Sequence, residues 1–224
     1  MRTVLLDLDG TLVDSAATIT EHLAAALTEV DFPVPGQDRL RRLVGPPFET
    51  ALPELGLTDE QTAAAITVYR SSYDAVAATI TPTFPGIPAL LERLREDELR
   101  LAVATSKPEE LARKIVSGVG IEGHFELVGG ADHVGGRVGK AAVVRSVLDR
   151  LGVDPAREPV VMVGDRHHDV DGAAEHGVPT IAVEWGYAEP GELHGARLVV
   201  ADLDELAAAL RGDEVWSTVA ALRG

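Results

Sequence analysis

The chain has 224 residues, no cysteine and a formal net charge of −16. That length suits one large domain, or one domain with an insertion, at about 100–200 residues per domain. The missing cysteines exclude a disulfide framework, a thiolate metal site and a thiol nucleophile, and the acidity argues against a nucleic acid polymer or an anionic membrane as partner.

Apolar stretches of strand length alternate with stretches at helical spacing. Thr3–Leu8 reads as the first strand and runs into Asp7-Leu8-Asp9-Gly10-Thr11. Two carboxylates two residues apart on an extended segment point the same way. Gly10 then permits a tight turn and Thr11 offers a hydroxyl. Such a pair can share three jobs: nucleophile, proton carrier and metal ligand.

Between about Ser15 and Thr81 no strand is expected. Ile19, Leu23, Leu27 and Val30 mark one helical face, and Leu40, Leu43 and Val44 mark a second helix. Thr58 and Gln61 form a capping box for a third, carrying Ile66, Tyr69, Tyr73 and Val76. Pro82, Pro85 and Gly86 mark the exit.

The alternation then resumes. A helix over Ile87–Arg95 precedes a strand over Leu99–Ala104, and Pro108 suits the first turn of the next helix. Phe125–Val128 reads as a short strand, Ala141–Leu151 as a helix, and Val160–Val163 as a strand followed by a short helix ending at Gly177. Thr180–Val183 and Leu198–Val200 are short strands, and Leu203–Leu210 is a closing helix begun near Asp202. The pattern predicts an α/β fold with a doubly wound, mostly parallel, Rossmann-like sheet and an inserted all-helical cap. The expected division is 1–14 and 82–212 as catalytic core, 15–81 as cap, and a loosely specified tail over 213–224.

Open parallel sheets bind ligands beyond the carboxyl ends of their strands. Past the first strand stand Asp7, Asp9 and Thr11. Past the second stand Thr105, Ser106 and Lys107. Past Val160–Val163 stand Gly164, Asp165 and Asp169, with Lys140 at the start of the preceding helix. Lysine is scarce, only Lys107, Lys114 and Lys140, and a cation at a helix N-terminus is poorly placed for stability. Lys140 is therefore expected to be functional. Crowded carboxylates repel, and a hard divalent cation resolves the repulsion with oxygen ligands. Mg²⁺ suits one or two carboxylates plus phosphate and water. The remaining groups match phosphoryl transfer by a carboxylate nucleophile with a neighbouring acid.

Asp7-x-Asp9-Gly-Thr-Leu-Val-Asp-Ser, Thr105-Ser106-Lys107-Pro108, Lys140 and Gly164-Asp165-x-x-x-Asp169 together resemble the four motifs of the haloacid dehalogenase-like hydrolases, over about residues 4–190. The helical insertion looks like that superfamily's cap. Gly164-Asp165-Arg166-His167-His168-Asp169-Val170, Trp185-Gly186-Tyr187, the Lys140-Ala-Ala-Val-Val segment and Val44-Gly45-Pro46-Pro47-Phe48 resemble the phosphoglycolate phosphatase and 5′-nucleotidase branch, although Ala188 stands where many relatives have Gly. The resemblance implies roles. Asp7 would be nucleophile and metal ligand. Asp9 would be general acid/base, with its backbone carbonyl on the metal. Thr105 and the Ser106 N–H, with Lys140 and Gly10, would bind phosphate. Asp165 would ligate the metal, and Asp169 would do so directly or through water.

Other residues carry plainer readings. Thr105 and Ser106 are expected also to cap the helix after them. Lys107 reads as a supporting or surface lysine, and His167 and His168 as solvated or capping histidines. His22, His124, His133, His176 and His194 carry no site signal. Tyr69 and Tyr73 read as cap core, with Arg70 and Phe48 as candidates for cap specificity. The expected function is Mg²⁺-dependent hydrolysis of a small phosphorylated metabolite resembling phosphoglycolate, through an aspartyl-phosphate. The alternatives are a 5′-nucleotidase, a phosphomutase using Arg39, Arg41 and Arg42, or a binding protein. No apolar run spans a bilayer and no signal peptide is evident, so a cytoplasmic monomer or homodimer is expected.

Overall fold

The computed structural model describes residues 1–132 and 134–216; His133 and residues 217–224 of the expected tail lie outside them. Six parallel strands form one sheet in the order β3-β2-β1-β4-β5-β6. They are β1 (Thr3–Leu6), β2 (Arg100–Pro108), β3 (Leu127–Ala131), β4 (Val160–Gly164), β5 (Thr180–Val183) and β6 (Leu198–Val200). The central strands are apolar at almost every position because both faces are covered. Val4, Leu6, Val161 and Val163 join the larger apolar cluster, with α5 (Ile87–Glu96), α6 (Glu109–Gly118) and α9 (Leu203–Arg211). Leu5, Val160 and Met162 face the other side, against α7 (Lys140–Leu151) and Ala173 of α8 (His167–Ala174).

Register brings the motifs level. Leu6 pairs with Val103 of β2 and with Val163 of β4. Asp7, Thr105 and Asp165 therefore follow within two residues of the paired level, on one rim. β2 runs on to Pro108, past the expected end at Ala104, with a register shift against β3 between those residues. β3 begins at Leu127 because Glu122–His124 form a 3₁₀ turn that delays it.

Among the described residues no strand lies between Ser15 and Thr81. Four helices fill that stretch: α1 (Ala16–Glu29), α2 (Gln37–Arg42), α3 (Phe48–Glu54) and α4 (Asp59–Ile80). α3 is an addition to the helices expected from the spacing of apolar residues. It is one short segment with Pro53 inside it, so its periodicity spans too few residues to register. The capping box of α4 is present: the Gln61 N–H donates to Thr58 Oγ1 at 3.2 Å, and the Thr58 N–H donates to Gln61 Oε1 at 3.2 Å. Asp202 caps α9, accepting from the N–H groups of Asp204 and Glu205.

Two expectations need correction. Thr105 and Ser106 do not cap α6, whose N-cap position is Pro108 with no side-chain acceptor. The extension of β2 carries both residues upstream of the helix start. The described part of the tail is also well held. Val215 and Trp216 are buried, Trp216 Nε1 donates to the Leu210 carbonyl at 3.2 Å, and the Arg2 guanidinium lies 5.0 Å over the indole.

Candidate active site

β1 ends at Leu6 and the chain continues extended through Asp7, whose N–H donates to the Val163 carbonyl at 2.9 Å. Leu8 stays buried, so Asp7 and Asp9 share the rim side. Gly10 then turns with φ +85°, and a Cβ there would lie 2.2 Å from Asp165 Oδ2. Only glycine serves at that point. The Gly10 N–H donates to the Val13 carbonyl at 2.9 Å. The amide is thus engaged in the turn, which leaves Thr105, Ser106 and Lys140 as the candidate phosphate ligands. Gly186 is constrained by space alone, since a Cβ there would meet the Asp165 Cβ at 2.3 Å.

Asp7, Asp165 and Asp169 are buried, and one oxygen from each lies within 4.8 Å of the others. Lys140 Nζ sits 2.6 Å from Asp7 Oδ1, 2.7 Å from Asp169 Oδ1 and 2.9 Å from the Ala104 carbonyl. Asp169 Oδ1 has charge contact with that ammonium but no partner in hydrogen-bond geometry. Asp165 accepts from the Tyr187 N–H at 2.7 Å and from Thr11 Oγ1 at 3.3 Å. Asp169 Oδ2 accepts from the Arg166 N–H at 3.0 Å. Three clustered carboxylates, two of them on one ammonium, with one oxygen lacking a hydrogen-bond donor, fit a hard divalent cation.

The electrostatics agree. Burial pushes the Asp7 carboxyl up to about 6 against Lys140, which pulls it down. Burial, then Asp169 and Asp7, hold Asp165 well above the ordinary carboxylate range. Burial opposes the charge on Lys140, but Asp169 and Asp7 outweigh it and hold the ammonium above the usual lysine range. A site tuned this way lacks positive charge, which a bound cation supplies.

Asp9 lines the same pocket as Asp7 and Asp169 but is held by other partners than theirs. Its Oδ1 accepts from Ser15 Oγ at 2.6 Å, and its Oδ2 lies 3.1 Å from Lys107 Nζ. Lys107 is thus no surface residue: its side chain is 7 % exposed and its ammonium also donates to the Tyr73 hydroxyl at 3.2 Å. Thr105 is buried, and its Oγ1 accepts from the Lys107 N–H at 3.2 Å. Ser106 lines the small polar pocket that Asp7, Asp9 and Lys140 also line. A larger opening adjoins it, walled by Phe48, Tyr69, Tyr73 and Arg70. Phe48 meets Tyr69 edge to face at 4.8 Å, Tyr69 stacks on Tyr73 at 5.0 Å, and Arg70 pairs with Glu49 at 2.8 Å.

Several site neighbours escaped the sequence reading. His167 has a side chain 40 % exposed, as expected of a solvated histidine, and its Nδ1 also lies 2.7 Å from Glu192 Oε1. His168 lines the polar pocket, and burial, then His167, hold it below its usual pKa. Arg166 is buried, pairs with Glu192 at 2.6 Å and donates to the Val44 carbonyl, tying the loop after β4 to the turn at Gly45. Glu109 gathers Arg137 at 2.8 Å and Arg150 at 2.7 Å, anchoring the loop that leads to Lys140.

Tyr187 also acts through contacts that no spacing announces. α1 has no side-chain cap of its own, because the Ser15 hydroxyl goes to Asp9. The Tyr187 hydroxyl accepts instead from the N–H groups of Ser15 at 2.8 Å and Ala16 at 3.0 Å, and donates to Asp14 Oδ1 at 3.0 Å. Tyr187→Phe leaves two buried N–H groups without an acceptor and is expected to lose about 1–3 kcal/mol of stability in urea unfolding. An unchanged midpoint would refute this capping role.

A doubly wound parallel sheet with carboxylates, hydroxyls and a buried lysine on its carboxyl rim defines an α/β enzyme built for phosphoryl transfer. The family model described as haloacid dehalogenase-like hydrolase matches residues 4–183, and the chain belongs to that family. The chain is 44 % identical over 211 residues to tyrosine-protein kinase PtkA of Mycobacterium tuberculosis, covering 92 % of this chain and 72 % of the relative. It is 35 % identical to a 5′-nucleotidase of Pseudomonas aeruginosa, over 85 % of this chain and 86 % of the relative. It is 33 % identical to a phosphoglycolate phosphatase of Aquifex aeolicus, over 84 % and 87 %. The crystal structure of a predicted phosphatase from Clostridium acetobutylicum superposes with a TM-score of 0.87 at 32 % identity, covering 94 % of this chain and 98 % of that one. The enzyme class is hydrolase of phosphoric monoesters. No helix among the described residues is long and apolar enough to cross a membrane.

Proposed function

We propose that this chain is a Mg²⁺-dependent phosphatase of small phosphomonoesters, working through a phosphorylated Asp7. The observation that carries the reading is the Lys140 ammonium bridging Asp7 and Asp169 beside Asp165. Asp7 attacks phosphorus, the bond from phosphorus to the leaving oxygen breaks, and protonated Asp9 gives its proton to that oxygen. Asp9 next takes a proton from water as the water oxygen attacks phosphorus. The Asp7–phosphoryl bond breaks, phosphate leaves, and Asp7 returns as a carboxylate. Thr105, the Ser106 N–H and Lys140 hold the transferring oxygens. Asp7, the Asp9 backbone carbonyl, Asp165 and Asp169 would hold Mg²⁺, which supplies positive charge against the carboxylates and the phosphoryl group.

Residues 15–81 act as a cap over a core of 1–14 and 82–212, with Phe48 and Arg70 facing the leaving group. Phosphoglycolate is the first substrate to test and nucleoside 5′-monophosphates the second. A mutase gains no support, because Arg39, Arg41 and Arg42 are exposed, Arg41 lies over Tyr187, and Arg42 pairs with Glu189. The similarity to a protein named a tyrosine-protein kinase favours one second reading, phosphoryl transfer from a nucleoside triphosphate to a tyrosine hydroxyl.

The test is phosphate release from a panel of phosphorylated metabolites with Mg²⁺ and with EDTA, beside an ATP and tyrosine-peptide arm. EDTA-sensitive release, strongest on phosphoglycolate, is expected. Label on the peptide with no ester hydrolysed would favour the second reading. Folded protein with Mg²⁺ that acts on nothing would sink both.

A further inference from the structure

Asp9 is held at both oxygens, and one of the two donors reaches across to the helical segment. Ser15 Oγ takes Oδ1 at 2.6 Å, and Lys107 Nζ takes Oδ2 at 3.1 Å. The same ammonium donates to the Tyr73 hydroxyl at 3.2 Å and stands 4.8 Å from the centre of the Tyr73 ring. Tyr73 lies in α4 and is fully buried, stacked on Tyr69. An ammonium has donors only, so a single buried cation grips the carboxylate of the core and the hydroxyl of the helical segment at once. Desolvated ion pairs of this kind are stiff, and breaking one strands a buried charge. Neither nucleophilic attack nor phosphate binding, as described above, uses Lys107.

We infer that Lys107 is a positioning residue that couples the placement of α4, through Tyr73, to the orientation of the proton carrier Asp9. The inference rests on the reading of Asp9 as acid and base. Its consequence is chemical. When α4 sits where Tyr73 meets Lys107, the Asp9 carboxyl is aimed. When α4 moves away, Lys107 loses one of its two holds, and Asp9 keeps only the Ser15 hydroxyl as a firmly placed partner. Proton delivery to the leaving oxygen is thereby made conditional on the position of the helical segment, which keeps the acid from working in an open, wet site.

The test compares kcat/KM, with Mg²⁺, on an alkyl phosphate and on 4-nitrophenyl phosphate. The alkoxide needs a proton to leave, and nitrophenolate leaves without one. Lys107→Met is expected to lower kcat/KM for the alkyl ester about 100-fold, the scale of a general acid's contribution, and for the nitrophenyl ester less than about 10-fold. Tyr73→Phe keeps the ring and removes the hydroxyl. It should shift the two esters in the same unequal way by a smaller factor, and should add nothing to Lys107→Met in the double variant. Lys107→Arg should recover part of the alkyl-ester rate. Equal losses on both esters, or additive effects of the two substitutions, would overturn the inference and leave the phosphatase reading standing. If Lys107→Met does not fold, Tyr73→Phe decides alone by its ratio between the esters. Wild-type protein that hydrolyses neither ester would defeat the phosphatase reading itself, and this inference with it.

Discussion

Asp7→Asn is expected to reduce phosphate release by about 10⁴-fold or more, because an amide cannot form the acyl phosphate and the other groups then have no nucleophile to assist. The fold should survive. Asparagine keeps the shape, and its Oδ1 can still accept from Lys140, which stands 2.6 Å from Asp7 Oδ1. The same substitution has a pH signature in the metal-free protein. Burial raises the Asp7 pKa from 3.8 to about 6. A group raised on folding adds stability that is complete below its unfolded value and is lost as pH rises through its folded value. Wild type therefore loses stability from this group between about pH 4 and pH 6, and Asp7→Asn does not. At pH 7.5 without metal the variant should melt higher than wild type by on the order of 5 °C, and at pH 4 the two should melt together. Retained turnover in Asp7→Asn would remove Asp7 from the role of nucleophile. A variant that melts lower at pH 7.5 would show that Lys140 stabilises the ionised carboxylate more than burial penalises it.

Lys140→Met should have the second largest effect, on rate and stability together. The ammonium satisfies Asp7, Asp169 and the Ala104 carbonyl at 2.6, 2.7 and 2.9 Å. Taking it away leaves three buried carboxylates facing one another. Removing one partner from a buried ion pair costs about 3–5 kcal/mol, which for a chain of this length lowers the metal-free Tm by about 10 °C. Turnover should fall by about 10²–10³-fold, the scale of losing one fixed positive group at a developing charge. Mg²⁺ should raise the Tm of the variant more than that of wild type, because the added cation replaces the missing charge. An equal Mg²⁺ shift in both proteins would argue against the three carboxylates sharing one cation.

Much of this architecture is legible in the amino-acid sequence. The strands over Thr180–Val183 and Leu198–Val200 run where the apolar runs place them, and Thr58, Gln61 and Asp202 cap the helices that their spacing announces. The acidic rim is legible for a related reason. Each motif residue follows its strand within a few positions, and in a parallel sheet all the strand ends share one edge. Asp7, Thr105 and Asp165 therefore must meet once the strands pair in register. The wrong or missing readings fall where that logic stops. α3 is a single short segment around Pro53, and β2 runs past its apolar stretch because it pairs again with β3 at Pro108.

By itself, the sequence determined the α/β alternation, the helical interruption and the set of oxygen-bearing groups on the rim. Periodicity and capping act within about a dozen residues, and the rim is only the sum of strand ends. The tertiary structure alone decided that Lys107 is buried between Asp9 and a tyrosine 34 residues away, and that Tyr187 caps a helix beginning 171 residues before it. It also decided that Trp216 packs beneath Arg2. Those contacts join side chains from separate elements, whose meeting depends on how helices pack over the sheet, and no interval along the chain encodes that distance.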